Sequence, residues 1–213
     1  MRLSSLLAIA VVFAAPTLTY ADTILVGSNL STISGGSSLC PSDADCEEIA
    51  QQVTFLTPVV IDQVKVAISG PALMGSSDGN FNVVLGDMLG TGTEIGSGDL
   101  VFDPDGDLVT QVFDFSGLNI ALGAGTYYLQ LSGGNVNWDF ADPLVTAAGT
   151  LGPVWVCDPT LTCASDRWQS VEGTHAFEID GTATTPEPST FALLGTGILG
   201  IVGMARRKLS RHN

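Results

Sequence analysis

Residues 49–69 read IAQQVTFLTPVVIDQVKVAIS, and this stretch decides the fold class. Large apolar side chains stand at alternate positions before and after the Thr57-Pro58 step, at Val53, Phe55, Val64, Val66 and Ile68. Alternation with a period of two is the pattern of a strand that buries one face. Proline bounds such runs because it cannot continue a strand ladder. The stretch therefore predicts two strands rather than a helix.

The same period continues through the rest of the chain. Apolar residues alternate in further short runs that Gly, Asn, Asp and Pro separate: Phe81, Val83, Leu85; Phe113, Phe115; Tyr127, Leu129, Leu131; Phe177, Ile179. Roughly nine to eleven such runs, with turn signals about every 8 to 15 residues, indicate an all-β antiparallel β-sandwich or jelly roll. The best helical candidate is a short one, at residues 45–51.

The N-terminal segment has the layout of a secretory signal peptide. Arg2 precedes an apolar stretch at residues 3–15, and the small residues Thr19 and Ala21 suit a peptidase pocket. The apolar core is shorter than the ~20 residues that span a bilayer, which favours cleavage over a lasting anchor. We expect residues 1–21 to be the signal peptide and residues 22–184 to form the exported β-sandwich domain.

Charge is distributed unevenly along the chain. Between residues 22 and 188 only Lys65 and Arg167 are basic, whereas all 22 acidic residues lie there, so this region carries −20. Such a surface repels phosphate backbones and anionic lipid, which excludes nucleic acid as a partner. Cations and neutral polymers remain as partner classes.

An apolar run followed by basic residues ends the chain. Residues 190–205 are apolar and Gly-rich, and the basic cluster at residues 206–211 begins with Arg206, Arg207 and Lys208. Basic residues stay on the cytoplasmic side, so the pattern predicts a stop-transfer segment with the acidic domain outside. At 1.5 Å per residue the helix falls short of the ~30 Å hydrocarbon core, which suits a transient stay in the inner membrane.

Pro186-Glu187-Pro188, the Leu/Gly-rich run and the Arg-Arg-Lys cluster resemble the PEP-CTERM sorting signal of exopolysaccharide-producing Gram-negative bacteria. The resemblance covers about residues 185–209 of a tail that we place at residues 185–213, and Thr185 departs from the Val usual there. It implies recognition of residues 186–188 by an exosortase-type enzyme, removal of the tail, and delivery to the cell surface or extracellular matrix. The flanking prolines keep the motif extended.

A looser resemblance covers part of the body. Residues 49–69, with LGAGTYYLQLSGGNVNWDF at residues 122–140, resemble β-sandwich ectodomains found ahead of such tails, in which a GTYYL-like strand precedes a Trp-bearing strand. This resemblance supports the fold class and not a function, because β-sandwiches serve many purposes.

Four cysteines fall into two pairs of equal spacing, Cys40 with Cys46 and Cys157 with Cys163. An exported chain meets oxidising conditions, so we interpret them as disulfides. Four cysteines allow three pairings; pairing within each short loop is favoured, but the sequence does not decide. A zinc site is the alternative, although its paired cysteines usually stand closer together.

Two other motifs have chemical interpretations beside plain turns. Asp103, Asp105 and Asp107 alternate in FDPDGDL, where carboxylates could bind Ca²⁺ weakly, yet Asp-Pro-Asp-Gly is also a common turn.

Residues 75–79 match the G-x-S-x-G pattern of hydrolases, with His175 as the available base. A strand pattern follows this motif where a hydrolase needs a helix, so a hairpin loop is the preferred interpretation.

Aromatic residues are the remaining candidates for a ligand site. Trp138, Trp155 and Trp168, with Tyr127 and Tyr128, could stack on sugar rings if exposed, but large aromatics are mostly buried in the core. The adjacent tyrosines must face opposite sides of their strand. No ligand-binding residue can be assigned from the sequence.

These patterns together favour a non-enzymatic exported protein with a structural or adhesive role at the cell surface or in the matrix. We expect no catalytic residues and no cofactor apart from weakly bound calcium. The expected partners are the processing enzyme, the inner membrane in passing, and exopolysaccharide. The alternatives are a lectin-like carbohydrate-binding module, which needs Trp exposed on one face, and a carbohydrate-active hydrolase, which needs a pocket with two carboxylates or His175.

Overall fold

A computed structural model describes residues 23–39, 48–70, 79–100, 110–134, 136–144, 146, 148–157 and 168–183. These residues form twelve strands and one 3-10 turn, Leu30–Thr32. Every paired strand runs antiparallel to its neighbours, so the predicted all-β antiparallel class is confirmed. The expected signal peptide and sorting tail lie outside the described residues. Within those residues, no helix has the length and apolar character needed to cross a membrane.

The strands divide into two sheets of six. Sheet A holds β1 (Thr23–Gly27), β2 (Ser34–Ser38), β4 (Val59–Ser69), β7 (Thr110–Leu122), β9 (Asn137–Phe140) and β12 (Phe177–Ala183). Sheet B holds β3 (Glu48–Phe55), β5 (Asn80–Gly86), β6 (Thr93–Asp99), β8 (Gly125–Gly133), β10 (Gly149–Cys157) and β11 (Trp168–Val171). The strand order in sheet A is β1-β12-β4-β9-β2 with β7 also on β4, and in sheet B β11-β10-β3-β8-β5-β6.

Strand β4 organises sheet A by pairing with three other strands. β7 runs beside it from Val59 opposite Leu122 to Ser69 opposite Thr110. β12 pairs with residues 59–66, and β9 takes over at Ile68, which lies opposite Trp138. Strand β4 therefore has β12 and β9 along one edge and β7 along the other.

The core lies between the two sheets. Alternate residues of β4 face those of β3 and β8, and the largest buried cluster includes Val64 and Val66 from one sheet with Val53 and Leu129 from the other. Phe113 and Phe115 of β7 pack against this cluster, as the period of two predicted. Residues of both sheets share one core, which is the arrangement of a β-sandwich.

Two sequence predictions need correction. The short helix expected at residues 45–51 is wrong, since the described part of that segment, residues 48–51, belongs to β3. The main core covers one face of β3, and an outer cluster that includes Ala50 covers part of the other, so its alternation is weak. The count of nine to eleven strands is slightly low because β2, with the sequence SGGSS, has no apolar pattern at all.

Gly181 allows a close approach of β12 to β4, and its substitution tests that contact. A Cβ at position 181 would overlap the Val60 carbonyl oxygen, a backbone atom that cannot move aside alone. We expect Gly181→Ala to lower the free energy of unfolding of the exported domain by about 1–3 kcal/mol, because overpacking forces backbone shifts. Urea denaturation measures this difference.

The matched control is Gly35→Ala in β2, where an added Cβ meets nothing within 4 Å. The control should unfold at nearly the wild-type urea concentration. Equal stability of the two variants would show that β12 does not depend on this close approach.

Candidate functional site

Most residues singled out from the sequence lie outside the described part of the chain. These are the sorting motif Pro186, Glu187 and Pro188, the basic residues Arg206, Arg207 and Lys208, the acidic run Asp103, Asp105 and Asp107, and Cys40, Cys46 and Cys163. Their assignments stay predictions. The described strands nevertheless fix where the chain enters and leaves several of these segments.

Cys157 is the one cysteine that the described residues include. It is buried at the end of β10, lies opposite Glu48 of β3, and is disulfide-bonded. In the sequence Cys46 precedes Glu48 by two residues, and Glu48 begins β3 opposite the end of β10. The choice among the three pairings stays a prediction.

A cluster of aromatic side chains covers part of the outer face of sheet B. Trp168 and Cys157 pack with Ala50, and the half-buried side chains of Trp155, Tyr128 and Leu89 pack against them. The Trp155 indole Nε1 donates to Oε1 of Gln52 at 3.3 Å. The Trp168 Nε1 is buried and finds no acceptor within the described strands and turns. The cluster is thus a second, smaller apolar layer, on the side of the sheet that faces away from the core.

The turn between β5 and β6 folds back over this outer face. Gln130 of β8 fixes it: its Oε1 accepts from the backbone N–H of Gly90 at 2.6 Å. Its Nε2 donates to the carbonyls of Thr91 at 2.8 Å and Met88 at 3.2 Å. Because Gln130 is buried, satisfying all of these backbone groups holds the turn in place.

A groove of about 380 Å³ lies between this turn and the strands beneath it. Its walls carry the Glu48 carboxylate and the polar or small residues Thr91, Gln130 and Ser132. Burial raises the pKa of Glu48 above its ordinary value. Glu48 also lies opposite Cys157, a member of the aromatic cluster, so the groove and the cluster adjoin. Hydrogen-bonding groups beside flat aromatic rings suit a neutral, hydroxyl-rich ligand.

A buried carboxylate ties three strands of sheet A together. Asp139 of β9 accepts hydrogen bonds from the hydroxyls of Ser69 at 2.5 Å and Thr110 at 2.9 Å, at the ends of β4 and β7. Burial raises the Asp139 pKa above its ordinary value, and the two hydroxyl donors oppose that shift. Asp139 is 1% exposed, so its role is to join strands and not to meet a ligand.

His175 fills the fork where β4 passes from β12 to β9. Its imidazole is stacked between the rings of Trp138 and Phe140, at centroid distances of 4.5 and 4.8 Å. The ring is completely buried, and within the described chain neither ring nitrogen has a hydrogen-bond partner. Burial lowers the pKa of His175 to about 3. The imidazole thus serves as a flat neutral ring in an aromatic stack.

Gln51 of β3 connects this fork to the other sheet. Its Oε1 accepts from the backbone N–H of His175 at 3.2 Å, and its Nε2 donates to the Gly152 carbonyl at 2.8 Å. Trp138 adds a bond from its Nε1 to the Ala176 carbonyl at 3.1 Å. A fully satisfied buried amide between two sheets fixes their relative position more specifically than apolar contact alone.

The geometry bears on the two ligand-based alternatives. None of the three tryptophans is exposed, and Trp138 and Trp168 are buried, as the sequence analysis expected for most of them. Tyr127 packs on the main core and Tyr128 on the outer cluster, so the tyrosines face opposite sides as predicted.

His175 has no path to a substrate, so it cannot serve as the surface base that the G-x-S-x-G interpretation requires. Within the described ranges, no group of three or more His, Cys, Asp and Glu residues could hold a metal.

The groove on sheet B and the hydrogen bonds of two buried glutamines were not among the sequence predictions. Gln51 and Gln130 lie in strands at buried positions, where apolar residues are usual. Only the structure shows that their side chains bond to backbone groups. A usable signal existed for Gln130, because a glutamine within the run LQL lies in an otherwise apolar strand. No sequence signal identifies the turn that folds onto it.

Replacing His175 with phenylalanine should change how stability depends on pH. The unfolded chain binds a proton at His175 near the ordinary pKa of ~6.5, whereas the folded chain does so only near 3, so this residue's contribution is lost as pH falls below ~6.5. The slope is about 1.4 kcal/mol per pH unit well below ~6. His175→Phe keeps the stacked ring and should remove that slope. Urea unfolding at pH 7 and pH 5 measures both proteins.

The difference between variant and wild type isolates His175, because other groups titrate in both proteins. Asp139 acts in the opposite direction, since its raised pKa lets the folded state take up a proton first as pH falls. An equal loss of stability in both proteins between pH 7 and pH 5 would show that His175 is protonated in the fold.

Comparison with known proteins adds one finding, at the end of the chain. No curated protein is significantly similar to the chain. Residues 184–208 match the family model described as the PEP-CTERM protein-sorting motif, in agreement with the resemblance at about residues 185–209. The match begins at the residue after β12 ends. The chain therefore carries a PEP-CTERM sorting motif, the signal on which exosortase-type enzymes act.

Proposed function

We propose that this protein is a non-enzymatic component of the cell surface or extracellular matrix, with a structural or adhesive role. The observation that carries the proposal is the PEP-CTERM match at residues 184–208, which implies export and processing by an exosortase-type enzyme. The signal-peptide pattern at residues 1–21 is consistent with the same route. The tail then holds the chain in the inner membrane until processing releases the domain.

The non-enzymatic part of the proposal rests on the body of the chain. His175 is the one histidine between residues 22 and 188, and it is sealed within an aromatic stack. The buried carboxylate of Asp139 is occupied by two hydroxyl groups. Lys65 is bound by Glu178 at 3.1 Å and Asp180 at 2.8 Å, and these neighbours raise its pKa. The polar groups around His175, Asp139 and Lys65 thus serve packing and strand pairing.

Two further features suit a protein that persists outside the cell. The charge of −20 between residues 22 and 188 keeps the domain soluble and lets cations bridge it to other acidic polymers. For the cysteines we propose local pairing, Cys40 with Cys46 and Cys157 with Cys163, because each bond would close a short connection beside a strand of sheet B. Such bonds stabilise small exported domains.

The sorting step is tested by replacing both prolines of the motif. Pro186→Ala combined with Pro188→Ala should leave the full-length protein in the inner membrane, because the motif loses the extended backbone that proline imposes. Immunoblots of membrane and released fractions from the native host, with the intact mass of each species, provide the measurement.

The control is the double variant Pro143→Ala with Pro153→Ala, since both prolines are exposed and belong to the body of the domain. This control should be processed and released as the wild type is. Normal release of the Pro186/Pro188 variant would contradict sorting through this motif.

A second candidate function is binding of the host's own exopolysaccharide at the outer face of sheet B. The observation that favours it is the groove beside the aromatic cluster, with Glu48, Gln130 and Ser132 on its walls and the half-buried Trp155 nearby. Sugar rings stack on aromatic faces while their hydroxyls bond to such polar groups. A neutral polymer also avoids repulsion by the acidic body.

Trp155 provides the test of this candidate. Trp155→Ala should weaken retention on purified host exopolysaccharide by about 10-fold, because stacking of this order is worth ~1.4 kcal/mol. Trp155→Phe keeps an aromatic face but loses the bond to Gln52, and should retain most of the binding. Affinity electrophoresis in gels that contain the polysaccharide compares the three proteins. Equal mobility shifts for wild type and Trp155→Ala would exclude this face as the sugar site.

A further inference from the structure

The chain leaves the sandwich at a defined place. β12 ends at Ala183, which lies opposite Val59 of β4, and Val59 lies opposite Leu122 of β7. Two turns close this end of sheet A: residues 56–58 lead into β4, and residues 123–124 follow β7. We call the five residues Leu56, Thr57, Pro58, Gly123 and Ala124 the tail-end pole.

The sorting motif begins very close to this pole. Only residues 184 and 185 separate Ala183 from Pro186. At 3.3–3.6 Å per extended residue, the Cα atom of Pro186 can stand at most about 11 Å from that of Ala183. That reach is about the diameter of one α-helix with its side chains. An enzyme that encloses residues 186–188 in a cleft must therefore meet the end of the folded sheet.

The alternative is that the end of β12 unpairs to lengthen the connection. Thr182 and Ala183 pair with Val60 and Val59 of β4, and Gly181 also pairs with Thr23 of β1. Unpairing would leave the inward-facing Val59 and Ile61 of β4 without their cover on this edge. Keeping the strand in place and contacting the pole requires no such loss.

The chemistry of the pole fits contact with another protein. All five of its residues are uncharged, in a body that carries −20. Leu56 is 58% exposed, and Pro58, Gly123 and Ala124 are exposed beside it. The central part of a protein interface is poor in charge and contains apolar side chains that fill the partner's pockets. An exposed leucine next to the processing site has the features of such an anchor.

We propose that the tail-end pole is the surface on which the exosortase-type enzyme docks while it holds residues 186–188, with Leu56 as the main contact. This inference rests on the proposed function, because it presumes that the tail is processed by such an enzyme. It adds that the enzyme reads the end of the folded domain together with the motif.

Leu56→Glu in the full-length chain, produced in the native host, is the first test. Pulse-chase labelling follows the conversion of the tail-bearing form to the processed form. We expect conversion to slow by about 10-fold, which corresponds to ~1.4 kcal/mol. The reason is that glutamate would replace an apolar interface anchor with a charge in the contact. Val112→Glu is the matched control: Val112 is 47% exposed on β7, near the opposite end of sheet A, and should convert at the wild-type rate.

A spacer separates docking from folding. An insertion of about ten Gly and Ser residues after Ala183 lets the enzyme reach the motif without meeting the sandwich. With this spacer in both proteins, the Leu56→Glu variant should be processed as fast as the protein that keeps Leu56. A defect that persists with the spacer would assign the effect to misfolding, and conversion of Leu56→Glu at the wild-type rate without the spacer would also overturn the proposal.

Two further outcomes identify the cause of a failure. If Leu56→Glu also weakens binding of the processed domain to protein-free vesicles of host lipid, the pole contacts lipid and not the enzyme, and the proposal is overturned. If the Pro186/Pro188 variant is shortened normally, the sorting function itself fails. If the wild type is processed correctly and Leu56→Glu is processed at the same rate, only the proposed docking surface is rejected.

Discussion

The pairing of β12 with β4 is the constraint on which the rest of the structure depends. It places the last strand of the domain between β1 and β4, so two neighbouring ladders join residues 23–27, 177–183 and 59–66. The residues of β4 that pair with β12 include core residues of sheet A. The space that His175 fills lies where the pairing of β4 with β12 ends and its pairing with β9 begins. Loss of that register would disturb the core, the fork and the exit of the tail together.

The period of the apolar residues was sufficient to predict the class of fold. Runs such as Val64, Val66 and Ile68 face the core as expected, because in a two-layer β structure one face of each strand must be covered. The period fails where burial is not one-sided. β3 is covered on both faces, by the core and by the outer aromatic cluster, and its alternation is correspondingly blurred. β2 consists of glycine and serine residues and, among the strands that the structure describes, pairs only with β9.

The site was much harder to predict than the fold. The sorting motif is contiguous in the sequence, so a linear pattern identifies it. The outer groove, in contrast, joins Glu48, Gln130 and the turn at residues 87–92, which lie far apart in the sequence. For His175 the sequence suggested a role that the structure does not support. A lone histidine is a candidate catalytic base, yet this one is stacked against two aromatic rings and serves packing. Only the register between strands reveals either arrangement.

The position of β1 has a consequence for the order of events during export. Among the described strands β1 pairs with β12 alone, although some 150 residues separate the two in the sequence. On the proposed export route, with the N-terminus first, β1 would cross the membrane long before its partner. Sheet A could then close only after nearly the whole domain had crossed. The tail that follows Ala183 would then keep the chain at the membrane during the time in which the sandwich closes.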